Sequence, residues 1–204
     1  MISLSEGVRL LPGVLDRPAQ QVLAEAVMAA LTIAPATRYA TRGGRPMSVA
    51  MSGLGPLSWV SDRGGYRYQD HHPGTGQPWP EMPPVLLDLW RQHGDPGVPP
   101  DACLVNLYGP EARMGLHQDR DEADFAFPVL SVSLGDTALF RLGGARRTDP
   151  TRQFRLASGD LLVLSGAGRL AFHGVDRILA GSSSLLPGGG RINLTLRRAR
   201  PAPP

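Results

Sequence analysis

The stretch RINLTLRR, Arg191 to Arg198, alternates polar and apolar side chains until its final arginine. Successive side chains of a β-strand point to opposite faces of the sheet. An extended conformation would therefore give this stretch one polar and one apolar face, formed respectively by Arg191, Asn193, Thr195 and Arg197, and by Ile192, Leu194 and Leu196. A polar face of this length either meets water or lines a polar cavity.

Short runs of the same kind precede this strand, and Gly, Pro, Asp or Ser residues separate them. The runs are ACLVNLY (102–108), PVLSVSLG (128–135), TALFRL (137–142), QFRLA (153–157), DLLVLS (160–165) and LAFHGV (170–175). So many short strands in roughly a hundred residues predict a sandwich or jelly roll.

Two helices are predicted ahead of these strands. In DRPAQQVLAEAVMAAL, Asp16 is a typical N-cap with a proline close behind it, and apolar residues follow at helical spacing. The second helix, PPVLLDLWRQHG, should end at Gly94. Helices first and strands after predict an α+β domain. Between the helices, the segment 38–80 lacks sustained periodicity, which predicts a long irregular or hairpin-rich insertion, and segments of such length tend to be functional lids.

The bulk composition indicates one cytoplasmic domain. The chain has 204 residues, of which 42% are hydrophobic, enough for one core. It shows neither a membrane-length apolar run nor a secretory signal, and its lone cysteine, Cys103, suits a reducing compartment. The net charge is +3, every basic residue is arginine, and arginines cluster at 141–155 and 191–200. These clusters fit either a nucleic-acid path or ordinary solvated faces.

A candidate metal site begins in GLHQDRDEADF, Gly115 to Phe125. His117 and Asp119 are separated by one residue, so in an extended chain both side chains project to one side. His173 lies on a later strand that a jelly roll would bring back beside this pair. Two imidazoles and one carboxylate form the facial triad of non-haem Fe(II) oxygenases, although zinc accepts the same ligands.

A polar pocket beside that metal is also predicted. An iron oxygenase that uses 2-oxoglutarate must bury a dicarboxylate next to the metal, which requires a fixed arginine. The polar face of RINLTLRR offers arginines, and the strand ACLVNLY places Asn106 and Tyr108 on one face. The two polar faces would then line one cavity.

Several motifs resemble those of the AlkB family of Fe(II)- and 2-oxoglutarate-dependent dioxygenases, in particular its bacterial DNA-repair members. The motifs are NLYGPEARMGLHQDRDE, PVLSVSLG, FHGV and RINLTLRR, with MSVAM and GYRY upstream. The resemblance extends from about Leu11 to about Arg198. It implies a double-stranded β-helix with N-terminal helices packed on one side and a nucleotide-recognition lid. The chain would form a single dioxygenase domain over 1–204, with the lid near 41–80 and the β-helix core near 102–198.

The resemblance also implies a role for each site residue. Fe(II) falls to His117, Asp119 and His173. The residues that would bind the co-substrate 2-oxoglutarate are Asn106, Tyr108, Arg191, Asn193 and Arg197, with Arg191 facing the distal carboxylate. Substrate contacts fall to Trp59, Tyr66, Tyr68, Asp121 and Arg147.

The implied reaction is oxidative removal of alkyl groups from base nitrogens, as in 1-methyladenine and 3-methylcytosine. It consumes O2 and 2-oxoglutarate and releases succinate, CO2 and formaldehyde. The implied partner is alkylated single- or double-stranded DNA, and RNA remains an option, with a monomeric enzyme and no membrane. A positively charged base would be favoured near Asp121. Glu122 and Asp124 are interpreted as solvated neighbours.

Two other functions remain open from the residues. The same fold hosts oxygenases that act on tRNA, protein or a small metabolite. A jelly-roll binding module, with a structural zinc or no metal, is the non-enzymatic alternative. Gly115 and Leu164 depart from the family pattern, which has serine and tryptophan there. Trp79 and Trp90 are interpreted as structural, and the adjacent His71 and His72 as solvated.

Overall fold

The computed structural model describes residues 1–41, 43–62 and 64–202. Arg42 and Arg63 of the predicted lid, and the last two prolines of the predicted domain, lie outside the described residues. No helix in these three ranges is long and apolar enough to cross a bilayer.

Both predicted helices are present. Helix α1 covers Arg17–Ile33, and the Asp16 carboxylate caps it by accepting a 2.9 Å hydrogen bond from the backbone N–H of Ala19. Helix α2 covers Pro84–His93 and ends at Gly94, whose N–H donates to the carbonyl of Trp90.

Thirteen strands make up the rest of the described secondary structure, apart from one short 3₁₀ turn. They are β1 Ile2–Ser5, β2 Val8–Leu11, β3 Ala50–Leu54, β4 Ser58–Asp62, β5 Gly65–Gln69, β6 Ala102–Tyr108, β7 Met114–His117, β8 Val129–Gly135, β9 Thr137–Leu142, β10 Arg152–Leu156, β11 Leu161–Leu164, β12 His173–Leu179 and β13 Arg191–Arg197. Two of them, β6 and β9, match the predicted runs residue for residue. The run LAFHGV is strand only from His173 onward.

The strands form two main antiparallel sheets and one hairpin. The larger sheet has the order β1-β2-β11-β8-β13-β6-β3, and the smaller has the order β10-β9-β12-β7. Strands β4 and β5 pair with each other outside both sheets. The two main sheets together form the predicted double-stranded β-helix, so the predicted α+β fold is confirmed.

Strand β13 lies inside the larger sheet and is buried on both faces. Its apolar side chains join the core cluster that contains Leu23 of α1 and Leu86 of α2, and full burial of each leucine is worth about 1.5–3 kcal/mol. Its polar side chains point the other way and line an internal cavity. The helices thus cover one side of the large sheet and leave the other side for the site.

The predicted order of elements, helices first and strands after, is wrong. Strands β1 and β2 precede α1 and extend the large sheet beyond β11. Three strands lie between the helices, and two of them, β4 and β5, form a hairpin, which is one of the two structures predicted for this segment. Strand β3, inside the predicted lid segment, pairs with β6 as an edge of the large sheet. A strand of four or five residues contains too few alternations of polar and apolar side chains to be distinguished from irregular chain by its sequence. Most of its stabilisation comes from the neighbouring strand with which it pairs.

The two tryptophans interpreted as structural are buried as expected, and so is Cys103. The Trp90 indole N–H donates to the carbonyl of Val98 at 2.8 Å, and the Trp79 indole N–H donates to that of Gln69 at 2.9 Å. Burial raises the pKa of the Cys103 thiol to about 12, so this thiol is inert.

Candidate metal and co-substrate site

The structure brings the three predicted metal ligands together. His117 ends β7 and lies directly opposite His173, the first residue of β12, while Asp119 follows β7 by two positions. One ligand atom from each of the three lies within 4.8 Å of the others. The Asp119 carboxylate oxygens are 3.9 Å from Nε2 of His117 and 3.7 Å from Nε2 of His173. A single divalent ion fits among these atoms.

Both imidazole rings are oriented by backbone carbonyls. Nδ1 of His117 lies 2.9 Å from the carbonyl oxygen of Gly115, and Nδ1 of His173 lies 2.9 Å from that of Ala171. A carbonyl oxygen only accepts hydrogen bonds, so each Nδ1 carries the proton and each Nε2 presents its lone pair to the centre.

The electrostatics hold these groups in the forms that a metal requires. Burial alone would raise the pKa of Asp119, but the positive field of Arg197, with smaller contributions from His173 and His117, lowers it below its ordinary value. Burial and the neighbouring His117 lower the pKa of His173 to about 4. At neutral pH the site therefore offers a carboxylate and a neutral imidazole, without a proton to displace from either.

The five residues predicted to hold 2-oxoglutarate lie on two adjacent strands of the large sheet. In the antiparallel register of β13 and β6, Arg191 is opposite Tyr108 and Asn193 is opposite Asn106. Arg197 lies at the other end of β13, where its Nη2 donates to Oδ1 of Asp119 at 2.7 Å. All five side chains line the same cavity as the metal ligands.

Arg191 is a buried cation with unused donors. The residue is 2% exposed, and Nη2 donates to Oγ of Ser133 at 3.0 Å, whereas Nε and Nη1 are buried and have no hydrogen-bond partner among the described residues. Buried charges are normally paired, and unpaired ones are costly. Buried cationic donors that lack a partner favour a bound anion, so the site fits a carboxylate of a bound co-substrate.

Other polar groups support this wall of the cavity. Nδ2 of Asn193 donates to Oγ of Ser131 at 2.7 Å, while Oδ1 of Asn106 is buried and has no partner in the part of the chain that the structure describes. Ser131 and Ser133 are not among the predicted site residues, although they alternate with apolar residues along β8. The same period-two reasoning that identified β13 would have found them.

The predicted aromatic contacts gather over the mouth of the cavity. Trp59 of β4 is paired with Tyr68 of β5, and its ring centroid is 5.0 Å from that of Tyr66. The indole Nε1 of Trp59 donates to Oδ2 of Asp121 at 2.8 Å. These four residues line one cavity of about 410 Å³ together with the metal ligands and the β13 arginines.

Arg147 lies outside the residues that line this cavity. It is an exposed residue between β9 and β10, and its Nη1 donates to the backbone carbonyl of Leu116 at 2.8 Å. Its guanidinium carbon is 5.7 Å from the ring centroid of Phe172. The structure therefore places Arg147 next to the backbone that carries His117.

Glu122 and His72, interpreted as solvated, are buried, so those two interpretations are wrong. Glu122 contacts the guanidinium groups of Arg169 and Arg197, and its side chain is 1% exposed. His72 is also buried, with Nε2 2.9 Å from the carbonyl of Pro35. Glu122 had no local signal, because its partners are distant in sequence. His72 also lies in a local turn, in which its Nδ1 accepts hydrogen bonds from the N–H groups of Gly74 and Thr75 at 3.2 and 3.0 Å. Asp124 is half-buried and bonds only locally, to the N–H of Ala126.

Comparison with known proteins agrees with this geometry. The family model of the 2OG-Fe(II) oxygenase superfamily matches residues 7–197. An alpha-ketoglutarate-dependent dioxygenase AlkB homolog of Caulobacter vibrioides is 66% identical over 201 residues, which are 98% of this chain and 91% of the relative. The chain belongs to the AlkB family of these oxygenases. Its members use Fe(II), 2-oxoglutarate and O2, so the enzymatic prediction and the predicted cofactors are confirmed.

More distant AlkB-family proteins show the same likeness. The mouse protein named nucleic acid dioxygenase ALKBH1 is 37% identical over 141 residues, 66% of this chain and 34% of that protein. The solved structure of OsALKBH1 superposes with a TM-score of 0.79 at 31% identity and covers 97% of this chain and 99% of its own. Family membership decides against the non-enzymatic binding module.

Proposed function

We propose that this AlkB-family dioxygenase removes alkyl groups from base nitrogens of DNA, with 1-methyladenine and 3-methylcytosine as substrates. The observation that carries the proposal is one cavity with three compartments. A His-Asp-His centre lies in the middle, a buried arginine with two unpaired donors lies on one side, and an aromatic hairpin with Asp121 lies at the mouth. Relatives named as AlkB and as a nucleic acid dioxygenase support the substrate class.

In this proposal His117, Asp119 and His173 hold Fe(II), and the polar face of β13 with Asn106 and Tyr108 holds 2-oxoglutarate. When bound, iron with 2-oxoglutarate and O2 supplies the oxidising chemistry that inserts one oxygen atom into a C–H bond of the alkyl group. The second oxygen atom goes into succinate as CO2 leaves. The hydroxymethyl group on the base nitrogen then departs as formaldehyde.

The protein itself has to bind, orient and shield. Arg191 neutralises the distal carboxylate of the co-substrate, and Arg197 orients Asp119 through the bond at 2.7 Å. Trp59 and Tyr66 stack on a base that has left the helix, and Asp121 presents a carboxylate to its edge. A base with a positive charge from N-alkylation is favoured at that position, because Asp121 is acidic. Arg147 contributes a cation for the nucleic-acid backbone beside the mouth.

The proposal extends to a monomeric protein that acts in the cytoplasm, where a reducing environment suits the free thiol of Cys103. Single-stranded DNA, double-stranded DNA and RNA are all compatible with extrusion of one base. An oxygenase reaction on tRNA or protein is the competing outcome.

The test is a demethylation assay with Fe(II)-loaded protein and an oligonucleotide that contains 1-methyladenine. We expect 2-oxoglutarate-dependent release of formaldehyde, none with Asp119→Ala, and wild-type release with the control His71→Ala, whose histidine is exposed and pairs with Asp70. Assays in parallel on tRNA and on protein would reveal the competing substrates. Turnover of those substrates alone would reject the proposal.

A further inference from the structure

A buried ionic cluster connects the hairpin of β4 and β5, hereafter the lid hairpin, to the candidate metal centre. It consists of Tyr68 on β5, Glu122, Arg169, Arg197 on β13 and the metal-ligand candidate Asp119. The side chains of Glu122, Arg169 and Arg197 are 1%, 3% and 7% exposed. Ion pairs buried this deeply are far more sensitive to loss of one member than surface pairs are.

Glu122 lies at the centre of this cluster. Its Oε1 accepts a 2.5 Å hydrogen bond from the hydroxyl of Tyr68, and its Oε2 accepts one of 3.0 Å from Nη2 of Arg169. Nε of Arg197 is 3.2 Å from Oε1, an ion-pair contact without the alignment of a hydrogen bond. One carboxylate thus contacts the lid and two guanidinium groups.

The same two arginines hold Asp119. Arg197 donates from Nη2 to Oδ1 of the Asp119 carboxylate at 2.7 Å, and Arg169 donates from Nη1 to the Asp119 backbone carbonyl at 2.6 Å. Nε of Arg169 also donates to the carbonyl of Phe127 at 2.9 Å, and this bond fixes the far end of the acidic loop, the segment from Asp119 to Phe127. Any shift of either guanidinium group would be passed on to the metal ligand.

The charges in the cluster balance only when Glu122 is present. Two carboxylates face two guanidinium groups; without Glu122, Asp119 alone would face both buried cations. Arg197 would then be free to turn toward the remaining carboxylate and away from the wall of the cavity. The Tyr68 hydroxyl would lose its acceptor as well, and the β5 strand would lose a bond to the cavity.

We propose that Glu122 is a positioning residue that couples docking of the lid to assembly of the co-substrate site, so that the Tyr68 hydroxyl strengthens 2-oxoglutarate binding through Glu122 and Arg197. This inference rests on the proposed roles of Asp119 and Arg197. It assigns a function to Glu122, although none of the bonds described for this residue reaches either histidine of the candidate centre. It also makes a lid residue responsible for part of the co-substrate affinity.

The experiment measures 2-oxoglutarate binding to Mn(II)-loaded protein by calorimetry, without nucleic acid and without O2. Glu122→Gln preserves size and the acceptor oxygen but removes the charge, and we expect about tenfold weaker binding or more. Tyr68→Phe removes only the hydroxyl, and we expect roughly threefold to tenfold weaker binding. The control Asp124→Asn removes the charge of a half-buried side chain two residues from Glu122, and it should bind 2-oxoglutarate as the wild type does.

The double variant separates coupling from general loosening. If Tyr68 acts through Glu122, Tyr68→Phe should weaken binding much less in the Glu122→Gln background than in the wild type. Equal affinity of wild type, Tyr68→Phe and Glu122→Gln, with only the melting temperature lowered, would overturn the proposal. Should Glu122→Gln fail to fold, Tyr68→Phe alone decides. Absence of 2-oxoglutarate binding in the wild type would instead contradict the proposed function.

Discussion

The indole N–H of Trp59 donates a 2.8 Å hydrogen bond to the carboxylate of Asp121, so the lid hairpin and the acidic loop beside the metal ligands are joined across the mouth of the cavity. Trp59 also contacts Tyr66 and, edge to face, Tyr39. The ring is therefore held in place before any base arrives. A pre-positioned stacking surface lowers the ordering cost of binding.

Replacement of Trp59 should weaken nucleic-acid binding specifically. Trp59→Ala removes the stacking surface, which is worth about 1–3 kcal/mol per base, whereas Trp59→Phe retains a ring and should lose less. Fluorescence anisotropy with an oligonucleotide that contains 1-methyladenine measures the difference. The Mn(II) affinity serves as the internal control and should not change. Equal oligonucleotide affinity for all three proteins would make Trp59 a packing residue.

Asp121→Asn should change which bases are preferred. The carboxylate favours a cationic base such as 1-methyladenine, while the amide retains size and hydrogen bonding but not the charge. We expect kcat/KM to fall more for 1-methyladenine than for a neutral alkylated base such as 1-methylguanine. The ratio of the two kcat/KM values is the measurement. A parallel fall for both bases would assign Asp121 to holding Trp59 rather than to recognising charge.

Arg191→Ala should raise the 2-oxoglutarate requirement. The variant leaves the distal carboxylate buried without its charge-assisted partner, which costs about 1.5–3 kcal/mol, or more than tenfold in KM. The matched control is Arg155→Ala, which removes an exposed arginine on β10. Initial rates at varied 2-oxoglutarate concentration give the KM values. An unchanged KM in Arg191→Ala would remove this residue from the co-substrate site.

The metal-free protein should lose stability in mild acid because of His173. Burial and His117 lower the pKa of this imidazole to about 4 in the folded state, below the value of about 6.5 for an unperturbed histidine. The unfolded state then binds the proton first, so the stability present above pH ~6.5 is lost as the pH falls toward ~4.

Urea unfolding of the metal-free protein at about pH 7.5 and about pH 5 tests this expectation. His173→Gln should lose less free energy of unfolding between the two conditions than the wild type does. His71→Gln, which alters an exposed histidine, should follow the wild type. A wild-type loss that persists in His173→Gln would place the acid sensitivity elsewhere in the protein.

Residue spacing and the resemblance in the motifs both selected the candidate metal ligands, and period-two alternation identified the strands around them. His117, Asp119 and His173 converge as expected, and β13 and β6 present Arg191, Asn193, Asn106 and Tyr108 to one cavity. These inferences succeeded because side-chain direction along a strand is a local property of the backbone.

The sequence by itself determined which residues share a face, whereas only the tertiary structure decided what covers that face. The polar side of β13 could have met water; the smaller sheet and the hairpin enclose it instead. Glu122 looks like one more charge in an acidic run, yet two distant arginines and Tyr68 bury it. Burial and charge pairing depend on contacts between residues far apart in the chain, and local periodicity contains no information about those contacts.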